Sequence, residues 1–187
     1  MADTMRWVRL DVRGSDACEL APDGAGWSLR GRAEFADARG DAQLAYAVAA
    51  DSVWRTVRGT VRGTVGETPV ALSIERGATG EWTLNGRPVP ALQGLVDLDL
   101  GFTPATNLFP LRRLALRPGE AANAEAALLD EATWTLRRLR QRYERRNESG
   151  WWYESPDAGY AALLQVNPDG FVVDYPGLWR GADSFRK

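Results

Sequence analysis

The stretch Val53–Val65, VWRTVRGTVRGTV, constrains the chain more than any other. It carries Thr-Val-Arg-Gly twice in tandem, at Thr56–Gly59 and Thr60–Gly63. Val53, Arg55, Val57, Gly59, Val61, Gly63 and Val65 share one parity, and Trp54, Thr56, Arg58, Thr60, Arg62 and Thr64 share the other. Side chains alternate between the two faces of a strand, so this pattern predicts one long strand with a wet Arg/Thr face. Gly59 and Gly63 fall on the apolar face, where they leave room for a bend or a close neighbour.

Strand signals continue on both sides. Trp7–Arg13 alternates, with Val8, Leu10 and Val12 on the expected apolar face and Arg9, Asp11 and Arg13 opposite. Gly14 and Pro22-Asp23-Gly24 read as turns. Trp27–Phe35 and Gln43–Ala49 are short strands. Val70–Glu75 is expected to pair with Glu81–Leu84, and Asn85-Gly86 is a tight-turn dipeptide. Leu95–Phe102 alternates again, with Leu95, Asp97 and Asp99 on one side. Tyr160–Val166 and Phe171–Tyr175 flank Asn167-Pro168-Asp169-Gly170, a hairpin signal. Gly119–Tyr143 is ambiguous: its Ala, Glu, Leu and Arg content favours helix, while Trp134-Thr135-Leu136 and a missing N-cap favour strand. With no linker or low-complexity tract, residues 1–187 read as one domain.

Composition removes several chemistries. The chain has no histidine, so Ser-His-Asp and Cys-His relays and His-ligated zinc are excluded. Cys18 is the only cysteine, which leaves no disulfide framework and suits a reducing compartment. Neither a dinucleotide fingerprint nor a phosphate loop is present. Cofactor and metal are therefore expected to be absent. A net charge of −2 and a pI near 5.3 argue against a general nucleic-acid binder. The N-terminal segment lacks an apolar signal core and no stretch reaches the length of a membrane span, so a cytoplasmic location is expected.

Four features could carry chemistry. Asp97 and Asp99 lie two apart on one strand, roughly 6.5–7 Å between Cα atoms, near the spacing of paired glycosidase carboxylates. Neighbours on one strand seldom flank a sugar, however, and Arg112 or Arg113 could pair with them. Gly101–Leu111, bracketed by Pro104 and Pro110, predicts a stiff loop whose Leu108 and Phe109 either tuck into the core or form a cavity lip. Arg137, Arg138, Arg140, Arg142, Arg145 and Arg146 form the densest basic cluster; it is a solvated face or a site for a phosphate, a carboxylate or RNA. Trp151, Trp152, Tyr153, Tyr175 and Trp179 crowd the C-terminal region, as sheet core or as a surface for sugars and lipids.

Three segments together resemble a known family: VDLDLGFTPATNLFPLRRL at Val96–Leu114, RQRYER at Arg140–Arg145 and QVNPDGFVVDYPGLWR at Gln165–Arg180. They are similar to the bacterial glycolipid-binding family, whose fold is a spiral β-roll. The resemblance implies a mostly β, antiparallel sheet with little helix, curled around an apolar cavity like that of bacterial lipoprotein carriers. It also implies that Gly119–Tyr143 is strand, and it transfers no catalytic residue. On this basis the chain is expected to be a non-catalytic binding protein for an amphipathic glycolipid or lipid. Trp54, Trp152, Tyr175 and Trp179 would form wall, Arg112 or Arg113 would meet the polar head, and Asn107, Gln141 and Tyr143 complete the candidate set. The rival readings are an interaction module using the Arg137–Arg146 face and a hydrolase using Asp97 and Asp99.

Overall fold

A computed structural model describes residues 2–182. The first half is a meander of β1 (Asp3–Arg9), β2 (Gly14–Asp23), β3 (Gly26–Asp37), β4 (Gly40–Ala50), β5 (Thr56–Val65), β6 (Thr68–Arg76), β7 (Trp82–Leu84) and β8 (Arg87–Pro88). The second comprises β9 (Asp97–Leu100), α1 (Leu108–Leu114), β10 (Ala121–Asp130), β11 (Thr135–Arg145), β12 (Gly150–Ser155), β13 (Tyr160–Val166), β14 (Val172–Tyr175) and β15 (Trp179–Gly181). All strands join one curled, unclosed sheet in the order β8-β7-β6-β5-β4-β3-β2-β1-β15-β14-β13-β12-β11-β10-β9. Every pairing is antiparallel except β9 with β10, which is parallel. Gly119–Tyr143 is strand, as the family resemblance implied, and β10 and β11 run through it as a hairpin.

The curl brings its β9 end back to β5. The Thr56 N–H donates to the Val96 carbonyl at 2.9 Å, and the Leu98 N–H donates to Thr56 Oγ1 at 3.0 Å. Gly59 makes this approach possible, since a Cβ there would lie 2.5 Å from Leu98 Cδ2.

Several expectations are corrected. β5 begins at Thr56, because Asp51 gathers Val53 and Arg55 into a turn through its carboxylate. A register shift opposite Ala49 and Ala50 then leaves Val57 bulged outward, so Thr56 is buried and the alternation changes phase. In β1 the faces are reversed: Trp7 and Arg9 point inward, and Val8, Leu10 and Val12 are exposed. The inner face admits Arg9 because Asp11 and Glu131 pair with it and the Phe35 and Trp179 rings stack against its guanidinium. Gly14–Asp23, read only for its turns, is a full strand.

The expected apolar cavity is largely occupied by the chain itself. Leu98, Leu100, Phe102, Leu108 and Phe109 are all essentially inaccessible. Phe102 packs against Phe35, Tyr46 and Trp134, and Phe109 against Trp54. Each such side chain contributes about 1.5–3 kcal/mol on burial. The Gly101–Leu111 loop is in fact a 3-10 turn, Ala105–Asn107, running into α1. Pro110 is tolerated because first-turn N–H groups have no helical partner to lose. Arg112 and Arg113 sit at the helix C-terminus, where cations are favoured.

A buried polar cluster crosses the first half of the core. The Tyr46 hydroxyl donates to Asp16 Oδ1 at 2.8 Å and lies 3.3 Å from Thr103 Oγ1. Asp16 is only 2% exposed, and burial raises its carboxyl to about 7 against the hydrogen bonds from Tyr46 and Thr103. The Tyr46 ring lies over Gly31, whose Cβ would sit 2.3 Å from it.

Candidate functional site

The clearest concentration of chemistry is where β9 meets the inner faces of β11, β12, β13 and β14. A pocket of about 490 Å³ opens there, with Asp99, Thr103, Asn107, Glu131, Ser155, Tyr153, Tyr160 and Tyr175 on its wall and Leu128, Leu139, Leu178 and Trp179 as apolar lining. The alternation of β11 turns Leu139, Gln141 and Tyr143 inward and Arg138, Arg140 and Arg142 outward, as the strand reading of that segment requires.

Gln141 ties the wall together from behind. Its Nε2 donates to Asp99 Oδ2 at 2.9 Å and to the Tyr153 hydroxyl at 3.1 Å. Its Oε1 has no partner among the described residues, although Gln141 is only 4% exposed. Behind it, Asn107 Nδ2 donates to the Tyr143 hydroxyl at 3.1 Å. The tyrosine rings form a continuous set: centroids lie 5.0 Å apart for Tyr143–Tyr153, 5.8 Å for Tyr153–Tyr175 and 5.2 Å for Tyr160–Tyr175.

Burial raises the Asp99 carboxyl to about 6; Gln141 opposes the shift, and the charges of Glu131 and Asp97 add to it. Burial also raises Tyr153 and Tyr160 to about 12, so both hydroxyls stay protonated at neutral pH. The floor thus pairs one acceptor that titrates near neutrality with fixed hydroxyl and amide groups, under aromatic faces. Such a wall can hydrogen-bond a polyhydroxylated group and pack against its C–H surface.

Residues 4–181 match the model of the "Putative glycolipid-binding" family. The chain belongs to that family. A crystal structure of a DUF1089 family protein from Pseudomonas aeruginosa is similar to it, with 28% identity over 88% of this chain and 91% of that one and a TM-score of 0.77. No curated protein matches the sequence.

Within this family member, the expected binding residues divide among three pockets, with Trp152 lining none of them. Asn107, Tyr175 and Trp179 line the tyrosine pocket, and Tyr143 and Gln141 support it from behind, Gln141 also lining the pocket that Arg113 lines. Trp54 and Arg112 line a separate pocket of about 660 Å³ beside Arg145 and Trp151. There the Arg112 guanidinium lies 5.2 Å from the Trp54 ring and donates to the Asp169 carbonyl. Arg113 lines a third pocket, of about 700 Å³, and Trp152 is tied to Glu154 on the opposite face of β12.

The paired carboxylates separate as well. Asp97 is 1% exposed and accepts a bidentate pair from Arg113, Nε to Oδ1 at 3.0 Å and Nη2 to Oδ2 at 2.6 Å. Asp97 is thus held by Arg113, and Asp99 by Gln141. Tyr153 stood in the aromatic run of the sequence, but Tyr160, Ser155, Glu131 and Thr103 gave no signal. They converge only through the strand order.

Each of Arg137, Arg138, Arg140, Arg142, Arg145 and Arg146 has a carboxylate partner. The basic stripe read from the sequence is therefore largely neutralised. Among the described residues no group of three or more Cys, Asp or Glu side chains could hold a metal ion, and no helix is long and apolar enough to cross a membrane.

Proposed function

We propose that the protein binds the polar, hydroxyl-rich head of an amphipathic glycolipid in the tyrosine pocket. The observation that carries this reading is the pocket wall, where Asp99 and the hydroxyls of Tyr153, Tyr160 and Tyr175 stand beside the apolar Leu178 and Trp179. Leu178, Trp179 and Leu128 offer apolar surface at the same pocket for the start of an acyl chain. Family membership supports the ligand class. Asp99 and the tyrosines act in this reading as ligand hydrogen-bonding groups, and no covalent step is assigned to them.

Titration with octyl glucoside, followed by tryptophan and tyrosine fluorescence, tests it. Saturable binding is expected below the micelle concentration, with methyl glucoside weaker because it lacks the chain. Tyr153→Phe removes one pocket hydroxyl and should weaken binding about tenfold, the value of one hydrogen bond. Unchanged affinity in Tyr153→Phe, or no binding of either glycoside, would overturn the assignment.

A further inference from the structure

The outer face of the first half of the sheet carries a second constellation, sharing no lining residue with the tyrosine pocket. The registers of β1 with β2, β2 with β3, β3 with β4 and β4 with β5 align Arg6, Ala17, Arg32, Ala45 and Arg62 in one row across the strands. Arginine recurs at every second strand, about 9–10 Å apart, with alanine between. Arg30 lies two residues from Arg32 on the same face of β3. Between Arg6, Arg30 and Arg32 is a shallow depression of about 530 Å³, floored by Ala17, Ala45 and Ala47.

Two facts set this depression apart from an ordinary solvated face. Arg6, Arg30 and Arg32 have no ion-pair partner among the described residues, whereas every arginine of the Arg137–Arg146 cluster has one. Arg30 donates only to Ser28 Oγ, at 3.3 Å, and Glu19 is the one carboxylate on the lining. The floor is alanine, a residue disfavoured in strands, and its small side chain leaves space above the sheet where larger β-formers would fill it.

We infer that this depression is a binding site for a phosphate-class oxyanion, held by the guanidinium groups of Arg6, Arg30 and Arg32 above the alanine floor. Guanidinium forks match phosphate oxygens in geometry and charge, and a tetrahedral anion offers acceptors to three donors arriving from different directions. The same chemistry is presented by a soluble phosphate ester and by a phospholipid head group.

The full chain is tested with glycerol 3-phosphate, followed by NMR of the arginine Nε–H signals, and with phosphatidylcholine vesicles with and without phosphatidic acid, followed by co-sedimentation. Expected are shifts at Arg6, Arg30 and Arg32, weakened by added salt. The exposed double variant Arg6→Ala, Arg32→Ala should bind at least tenfold more weakly, and Arg140→Ala, a paired arginine, should match the wild type. Binding of the ester alone identifies a soluble ligand, and binding of the acidic vesicles identifies a head group. Either supports the site. No binding of either probe, or equal binding by the double variant, overturns it.

Discussion

Two aspartate–tyrosine clusters among the described residues differ in what covers them. Asp16 with Tyr46 is sealed in the core, and Asp99 with Gln141 and Tyr153 faces a pocket. Thr103 is the partition: its hydroxyl meets Tyr46 on one side, and the residue lines the pocket on the other. Burial raises both carboxyls, Asp16 to about 7 and Asp99 to about 6. Similar residues with similar shifts thus serve structure in one place and are available to a ligand in the other. Access distinguishes a candidate site from a buried polar cluster; composition does not.

The largest test of this contrast is the pH dependence of folding. Asp16 binds its proton more tightly in the folded than in the unfolded chain, so its contribution to stability is fully present below about pH 4 and is lost as pH rises toward 7. A shift of this size corresponds to roughly 4 kcal/mol across that window. Urea unfolding at pH 4, 6 and 8 should show the decline, and Asp16→Asn should reduce it, leaving the part that the raised Asp99, Asp97 and Glu131 carboxyls contribute. A variant slope equal to the wild type would mean that Asp16 is not the strained group.

Next in size is Gly31→Ala, which drives a methyl group into the Tyr46 ring. Overpacking of this kind costs about 1–3 kcal/mol. Thermal unfolding should register it, with octyl glucoside affinity unchanged, because the damage falls on the sealed cluster.

The open cluster should answer to ligand more than to denaturant. A carboxylate accepts from hydroxyl groups better than a carboxylic acid does, so affinity for octyl glucoside is expected to rise as pH passes about 6. Asp99→Asn should remove that dependence and bind about tenfold more weakly at pH 8. Affinity that is flat with pH in the wild type would break the contrast from this side. Thr103→Ser carries the smallest effect, about 0.8 kcal/mol for one buried methyl group, because its hydroxyl still meets Tyr46.

The strands were legible where alternation is backed by large side chains. The Gln43–Ala49 strand, whose Leu44, Tyr46 and Val48 lack clean polar partners in the sequence, lies within β4, and the Asn85-Gly86 turn joins β7 to β8 as expected. Reading failed where a local pattern is overruled by distant partners. Val8, Leu10 and Val12 look like a core face, yet Arg9 takes the inward position because Glu131, Phe35 and Trp179 receive it. In β2 the buried set Asp16, Cys18 and Leu20 includes a charged residue and gives little contrast to count. The helix α1 hid behind two prolines. The tyrosine pocket draws on residues from Asp99 to Trp179, and no local spacing announces it. Aromatic crowding near the C-terminus supplied Tyr175 and Trp179, and Asp97–Arg113 was foreseen as an ion pair. Trp54, Arg112 and Trp152 were grouped with them only because they share a chemistry.

The pairing of β1 with β15 reaches further than its few hydrogen bonds. Trp7 stands opposite Gly181, so β1 takes as its neighbour the strand farthest from it along the described chain. The meander from β1 to β8 can assemble from near neighbours in sequence, but its β1 edge stays bare until β15 is in place. Closing so long a stretch of chain is slow, and it makes the middle of the sheet the final part to set.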